Sequence, residues 1–211
     1  MKFPLLPDNP SYRIVEIFES LQGEGYHTGM PAVFIRLGKC NLACAWCDTD
    51  YLNFRPMSLH DILNTVAAYA SRNIIITGGE PTIQPHLNQL LDALKARGYR
   101  LHLESNGLQA IPEQIDYAAV SPKAAYAEKY AAAGTKRADE VRIVADGDVL
   151  AFCSTIEQNI QAERYYLSPC ERDGEMNIHH TIRQLGQLNA RGSAFPHWQL
   201  SVQTHKWAGI E

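Results

Sequence analysis

Apolar and polar positions along the 211-residue chain follow two alternating periods, and each switch marks a change of element. Ile14, Ile17 and Phe18 are arranged around Glu16 with a period near two, which predicts a short strand over 13–18. A buried strand is predicted over 32–37, and the β-branched run Ile74-Ile75-Ile76-Thr77 predicts another over 73–77. Further strands are predicted over 99–104, 117–120, 140–145 and 165–167, with a terminal strand over 198–203. Between them the period lengthens to that of a helix. Ser58 suits an N-cap, and Leu59, Ile62, Leu63 and Val66 recur at helical spacing as far as about residue 70. Helices are also predicted over 84–97, with Gly98 as the stop, over 149–159 and over 178–191.

Strands that alternate with helices imply βαβ units and a mainly parallel sheet, whose ligands gather at the carboxyl ends of the strands. The polar turns fall there. The cysteine-bearing stretch 38–49, Gly78-Gly79-Glu80-Pro81, Ser105-Asn106-Gly107, Ser121-Pro122-Lys123 and Ser168-Pro169 each follow a predicted strand. About six parallel core strands are too few to close a barrel of the TIM type, so the expected fold is α/β, an open, partial (β/α)-barrel. No long Pro/Gly/Ser-rich linker or change of composition divides the chain, which predicts one domain over 1–211. A formal net charge of -4 argues against a basic nucleic-acid surface. No stretch has the character of a signal peptide or a membrane span, so a cytoplasmic protein is expected.

Three of the five cysteines, Cys40, Cys44 and Cys47, fall within eight residues in the spacing Cys-x3-Cys-x2-Cys. One loop can aim three such sulfurs at a single point, which makes it a metal site. Structural zinc takes four closed ligands and a ferredoxin-type cluster takes four cysteines, so three leave one coordination position open. The alternative is zinc completed by Cys153, Cys170 or one of the eight histidines. Disulfides do not suit a compact cluster in a cytosolic chain.

The cysteine spacing resembles the signature of radical S-adenosylmethionine (SAM) enzymes, in which the open iron chelates SAM. Thr77-Gly78-Gly79-Glu80-Pro81 is similar to the turn that meets the SAM amino group in that superfamily, and its glycines permit close backbone approach. Ser20-Leu21-Gln22-Gly23-Glu24-Gly25, Cys47-Asp48-Thr49 and Ser201-Val202-Gln203-Thr204-His205-Lys206 resemble the 7-carboxy-7-deazaguanine synthase family, a likeness that spans nearly the whole chain. The resemblance implies a lyase of queuosine biosynthesis with the radical SAM barrel and short terminal extensions that bind substrate. It converts 6-carboxy-5,6,7,8-tetrahydropterin to 7-carboxy-7-deazaguanine by radical ring contraction with loss of ammonia, using a 4Fe-4S cluster, SAM and magnesium. Carried over residue by residue, Cys40, Cys44 and Cys47 hold the cluster, and Thr49 binds magnesium. Trp46, Cys47, Asp48, Gly79, Ser121, Pro122, Lys123, Ser168, Pro169, Cys170 and Glu171 line SAM. Leu21, Gln22, Gly23, Arg36, Thr77 and the terminal Glu211 meet the pterin. An electron donor of flavodoxin or ferredoxin kind and a homodimer are implied as partners.

One turn departs from the family pattern: its usual Gln-Pro is Ser168-Pro169 here. The residues themselves also admit other roles. Arg36 inside an apolar strand needs a partner, which an anionic ligand, Glu16 or Glu104 could supply. Thr49 serves equally as a turn residue, the 19–25 segment as a polar turn, and His205 as a structural histidine. Adjacent His179 and His180 point apart on a helix and read as surface or packing residues, and Cys153 and Cys170 as ordinary thiols. Two rival functions are a radical SAM activase of a glycyl radical enzyme and a non-catalytic zinc-binding module.

Overall fold

The computed structural model describes residues 9–172 and 174–210. The strands β1 (Ser11–Leu21) and β2 (Pro31–Leu37) pair antiparallel, and β3 (Arg55–Ser58) adds antiparallel to the other side of β1. Helix α1 (Leu59–Val66) leads to β4 (Asn73–Gly78), and α2 (Leu87–Lys95) to β5 (Arg100–Ser105) and β6 (Tyr117–Val120). Then come α3 (Ala127–Ala133), β7 (Arg137–Ala145), α4 (Leu150–Asn159) and β8 (Gln161–Pro169). A small hairpin, β9 (Glu171–Arg172) with β10 (Glu175–Met176), precedes α5 (Ile178–Asn189), β11 (Trp198–Leu200) and α6 (Thr204–Ala208). The main sheet has nine strands in the order β11-β8-β7-β6-β5-β4-β2-β1-β3, parallel from β2 to β11 and open at both edges. That is the expected partial barrel, with the terminal strand extending its parallel part.

Each parallel strand turns one set of side chains toward the helices and the other set away from them, because successive side chains alternate. On β7, Val141 and Ile143 join Phe152, Ile156 and Trp198 in one apolar cluster, whereas Glu140 and Arg142 point the other way. The other half of the core packs Ile74, Ile76, Leu101 and Leu103 of the strands against Ile62, Leu63, Leu90 and Leu94 of the helices. Ser58 caps α1 as expected, its hydroxyl accepting from the Asp61 amide at 3.2 Å. Helix α2 begins three residues later than predicted. Gln84 is instead buried, donating from Nε2 to the Gly38 carbonyl at 2.6 Å, and His86 is left-handed with φ 61°. Strand β11 also stops at Leu200, short of the predicted 203. The chain turns aside there because the Ser201 hydroxyl accepts from the Gly25 amide and the Thr204 amide donates to the Gly23 carbonyl. Strand β3, α3, the β9–β10 hairpin and α6 have no counterpart in the sequence pattern, each being a short element.

No helix among the described residues is long and apolar enough to cross a membrane. His179 is exposed, and His180 Nε2 lies 3.0 Å from the Gly147 carbonyl, so neither belongs to a metal group. Cys153 is fully buried in α4, where burial pushes its thiol up to about 12.

The loop between β1 and β2 folds back under the sheet and carries His27 edge-on to His102 of β5 and to Tyr117 of β6, with centroids 4.9 and 4.4 Å apart. His102 is buried with its Nε2 unpartnered, and burial, followed by the neighbouring His27 and Arg100, lowers it to about 4. A histidine lowered in the fold is protonated first in the unfolded chain, so its contribution is present above pH 6.5 and lost as pH falls toward about 4. Denaturant unfolding across that window should show a loss on the order of 3 kcal/mol from this residue. His102→Phe should flatten the slope, and an unchanged slope would contradict the assignment.

Candidate active site

The turn after β4 and the cysteine loop after β2 are built against each other. Gly78 has φ 128°, a conformation that excludes side chains, and a Cβ there would strike the Leu37 carbonyl. A Cβ at Gly79 would strike the Lys39 carbonyl, immediately before Cys40. The backbone seam is closed by the Gly79 amide on the Leu37 carbonyl and the Glu80 amide on the Lys39 carbonyl, both 2.9 Å. Glu80, in the turn whose likeness implies a contact with the SAM amino group, is fully buried. Its carboxylate accepts from the Thr82 amide and hydroxyl, the Ser105 hydroxyl and the Asn106 amide at 2.6–3.0 Å. It clamps the turn to the end of β5, and Asn106 in turn donates to Asn41 of the cysteine loop at 2.7 Å.

Three adjoining cavities open at the carboxyl ends of the parallel strands, and Asp48, Thr49, Thr77 and Glu104 line all of them. The one of about 570 Å³ takes in Leu21, Gln22, Gly23, Arg36 and Thr77, the residues expected to meet the substrate. The one of about 490 Å³ takes in Trp46, Cys47, Asp48, Ser121, Lys123 and Ser168, Pro169, Cys170 and Glu171, all expected to line SAM. The third, about 160 Å³, is lined by Cys40, Cys44, Cys47 and Gly79. Pro122 is buried and lines none of them, and Glu211 lies outside the described residues.

Arg36 is paired as one of its alternatives had it, through Nε to Glu16 Oε1 at 2.6 Å, the residue opposite it in the β1–β2 register. Glu104, the other candidate partner, belongs elsewhere. It accepts from Gln22 Nε2 at 2.8 Å and pairs with Arg142, whose guanidinium also meets Glu24 and Glu140. Burial pushes the Glu104 carboxyl up to about 7, with Arg142 opposing and Glu140 and Glu24 adding to the rise. Trp46 Nε1 donates to Asp146 at 2.8 Å, with Lys123 Nζ 5.0 Å over its ring. Burial works to raise Asp48, but the Lys206 ammonium at 3.1 Å and the Gln203 amide outweigh it and hold the carboxyl below its usual range. His205 packs on Gly23 and lines the substrate-side cavity, so it serves structure and cavity at once. Sequence reasoning misses Glu104 and Arg142 as site residues, although each carries the signal used for Arg36, a charge inside a predicted strand.

The model of the Radical SAM superfamily matches residues 34–137. A 7-carboxy-7-deazaguanine synthase from Neisseria meningitidis is 70% identical over 210 residues, covering 100% of this chain and 99% of that protein. The chain belongs to the 7-carboxy-7-deazaguanine synthase family. A 7-carboxy-7-deazaguanine synthase from Haemophilus influenzae is 59% identical, covering 96% of this chain and 95% of its own length. The crystal structure of QueE from Escherichia coli superposes with a TM-score of 0.66 at 27% identity, covering 92% of this chain and 94% of that one. This is a radical SAM lyase, and membership of the 7-carboxy-7-deazaguanine synthase family implies a 4Fe-4S cluster and SAM.

The residues present fit that pair. Cys40, Cys44 and Cys47 are free thiols and share one cavity wall. Burial raises the Cys40 and Cys44 thiols, so both keep their protons until a metal displaces them. No three His, Cys, Asp or Glu side chains among the described residues converge on one ion, as a closed zinc site requires. Cysteine thiolates are the donors that an iron-sulfur cluster takes. Cys170 is buried against the Glu171 carbonyl as a plain thiol. Gly79→Ala should push Lys39 and Cys40 aside, costing about 2 kcal/mol as an overpacked site does. Iron per chain after anaerobic reconstitution should fall by more than half. Wild-type iron content and melting temperature in that variant would refute the seam's role.

Proposed function

We propose that this chain converts 6-carboxy-5,6,7,8-tetrahydropterin to 7-carboxy-7-deazaguanine, with loss of ammonia, in queuosine biosynthesis. The observation that carries the reading is the meeting of two ligand-sized cavities at Thr77 and Glu104, one walled by the cysteine loop and one by Gln22 and Arg36. A volume of about 570 Å³ suits a bicyclic small molecule rather than the polypeptide that an activase must admit. None of the relatives named above is an activase.

When bound, the cluster and SAM supply one-electron cleavage chemistry and a hydrogen-abstracting carbon radical. The chain's own residues bind and orient. Cys40, Cys44 and Cys47 would hold the cluster. Trp46, Asp48, Gly79, Ser121, Lys123 and the stretch Ser168-Pro169-Cys170-Glu171 enclose SAM. Arg36 spends Nε on Glu16, which leaves its two terminal nitrogens for the substrate carboxylate. Leu21, Gln22, Gly23, Thr77 and Glu211 frame the pterin edge. Glu104, with a carboxyl near neutrality, can give or take a proton there. Thr49 offers a hydroxyl to magnesium, a hard cation that favours oxygen and keeps several waters. A cytoplasmic setting keeps the cluster thiols reduced. A small redox protein of flavodoxin or ferredoxin kind delivers the electron, and the enzyme works as a homodimer.

Anaerobically reconstituted protein, given SAM, a reductant and the carboxytetrahydropterin, should yield the deazaguanine acid by mass spectrometry. Cys44→Ala should abolish turnover and lose the cluster while keeping the fold. Full iron and activity in that variant, or no product from the wild type, would overturn the reading.

A further inference from the structure

Arg142 lies on β7 with its side chain only 6% exposed, and each of its nitrogens faces a carboxylate from a different part of the site. Nη1 is 3.1 Å from Glu24 in the loop after β1, and Nη2 meets Glu104 near the end of β5. Nε is 2.9 Å from Glu140, an ion pair without hydrogen-bond alignment. The reach across β6 is possible because Ala119, the β6 residue in register with both Glu104 and Glu140, has only a methyl group. Two of these carboxylates carry the neighbouring substrate-side groups. Glu104 receives Gln22 Nε2 at 2.8 Å, and Glu24 receives Gln203 Nε2 from the terminal segment at 3.2 Å. Glu140, in turn, accepts from the Tyr117 hydroxyl and the Tyr26 amide, fixing the same loop from below.

We propose that Arg142 is a positioning residue for the pterin, holding Glu104 and Glu24 at fixed points on the cavity wall. The inference rests on the pterin reading above. A guanidinium is suited to this because its planar fork presents donors at set angles, whereas a lysine ammonium is a single point charge. With all three nitrogen positions committed to protein carboxylates, Arg142 acts on the substrate through Glu104 and Glu24. Burial raises the Glu104 carboxyl toward neutrality, with Arg142 opposing and the two neighbouring acids adding to the rise. Removing that cation leaves three crowded carboxylates, and the loop and the terminal segment lose their common anchor.

The test is a double-mutant cycle on anaerobic, cluster-loaded protein with SAM, reading carboxytetrahydropterin KM and kcat alongside pterin binding by fluorescence. Arg142→Lys and Glu104→Gln should each raise the pterin Kd about tenfold, and the double variant should be little worse than either alone. Iron content and SAM binding should stay near wild type, and the acid limb of the pH profile should move in Arg142→Lys. If Arg142→Lys does not accumulate as folded protein, Glu24→Gln replaces it in the cycle, since two carboxylates held by one guanidinium must couple. Losses that simply multiply, with wild-type turnover intact, would overturn this inference alone. A wild type that neither binds nor converts the pterin would overturn the inference together with the functional reading.

Discussion

A charge taken out of water must meet an opposite charge or a ligand, and this requirement shapes the polar side of the sheet. Arg142 and the three carboxylates around it meet it there, and a more exposed pair lies beside them. Glu16 and Arg36 face each other across β1 and β2, while Glu24, Glu104 and Glu140 share Arg142. The ion pairs join the first loop, four strands and, through Gln203, the terminal segment. A sheet with one face devoted to apolar packing can thus keep a charged interior on the other. That interior is where the cavities open.

The second constraint is close approach of backbone to backbone. Gly78 and Gly79 bring the β4 turn against Leu37 and Lys39, which fixes the start of the cysteine loop without help from side chains. Glu80 then anchors the same turn to β5 from within. The start of the cysteine loop is consequently anchored to the sheet, as a preorganised site needs. Asp48 and Lys206 extend the seam to the far end of the chain, so the wall between the two larger cavities includes residues from both ends of the sequence.

Much of this is legible from spacing. The cysteine triplet, the double-glycine turn and the strand–helix alternation are local patterns, and local patterns survive in one dimension. The apolar runs locate every parallel strand because burial on the helix side demands apolar residues there. Short elements escape. Strand β3, the β9–β10 hairpin and α6 have two to five residues each, too few to show a period. The start of α2 is misplaced in the sequence pattern because Gln84 is polar yet buried, held by a carbonyl far away in sequence.

Sequence by itself determined the chemistry and the architecture: three thiols at one loop, a parallel sheet, and polar turns at the strand ends. Tertiary structure alone decided the pairing of charges. Arg36 had two possible acids within reach of its strand, and register gave it Glu16 because that residue lies directly across β1. Glu104 went to Arg142, 38 positions away, because a methyl side chain at Ala119 left the path open between β5 and β7. Coulomb attraction depends on distance in space, and nothing in the order of residues states which distant strands will lie side by side.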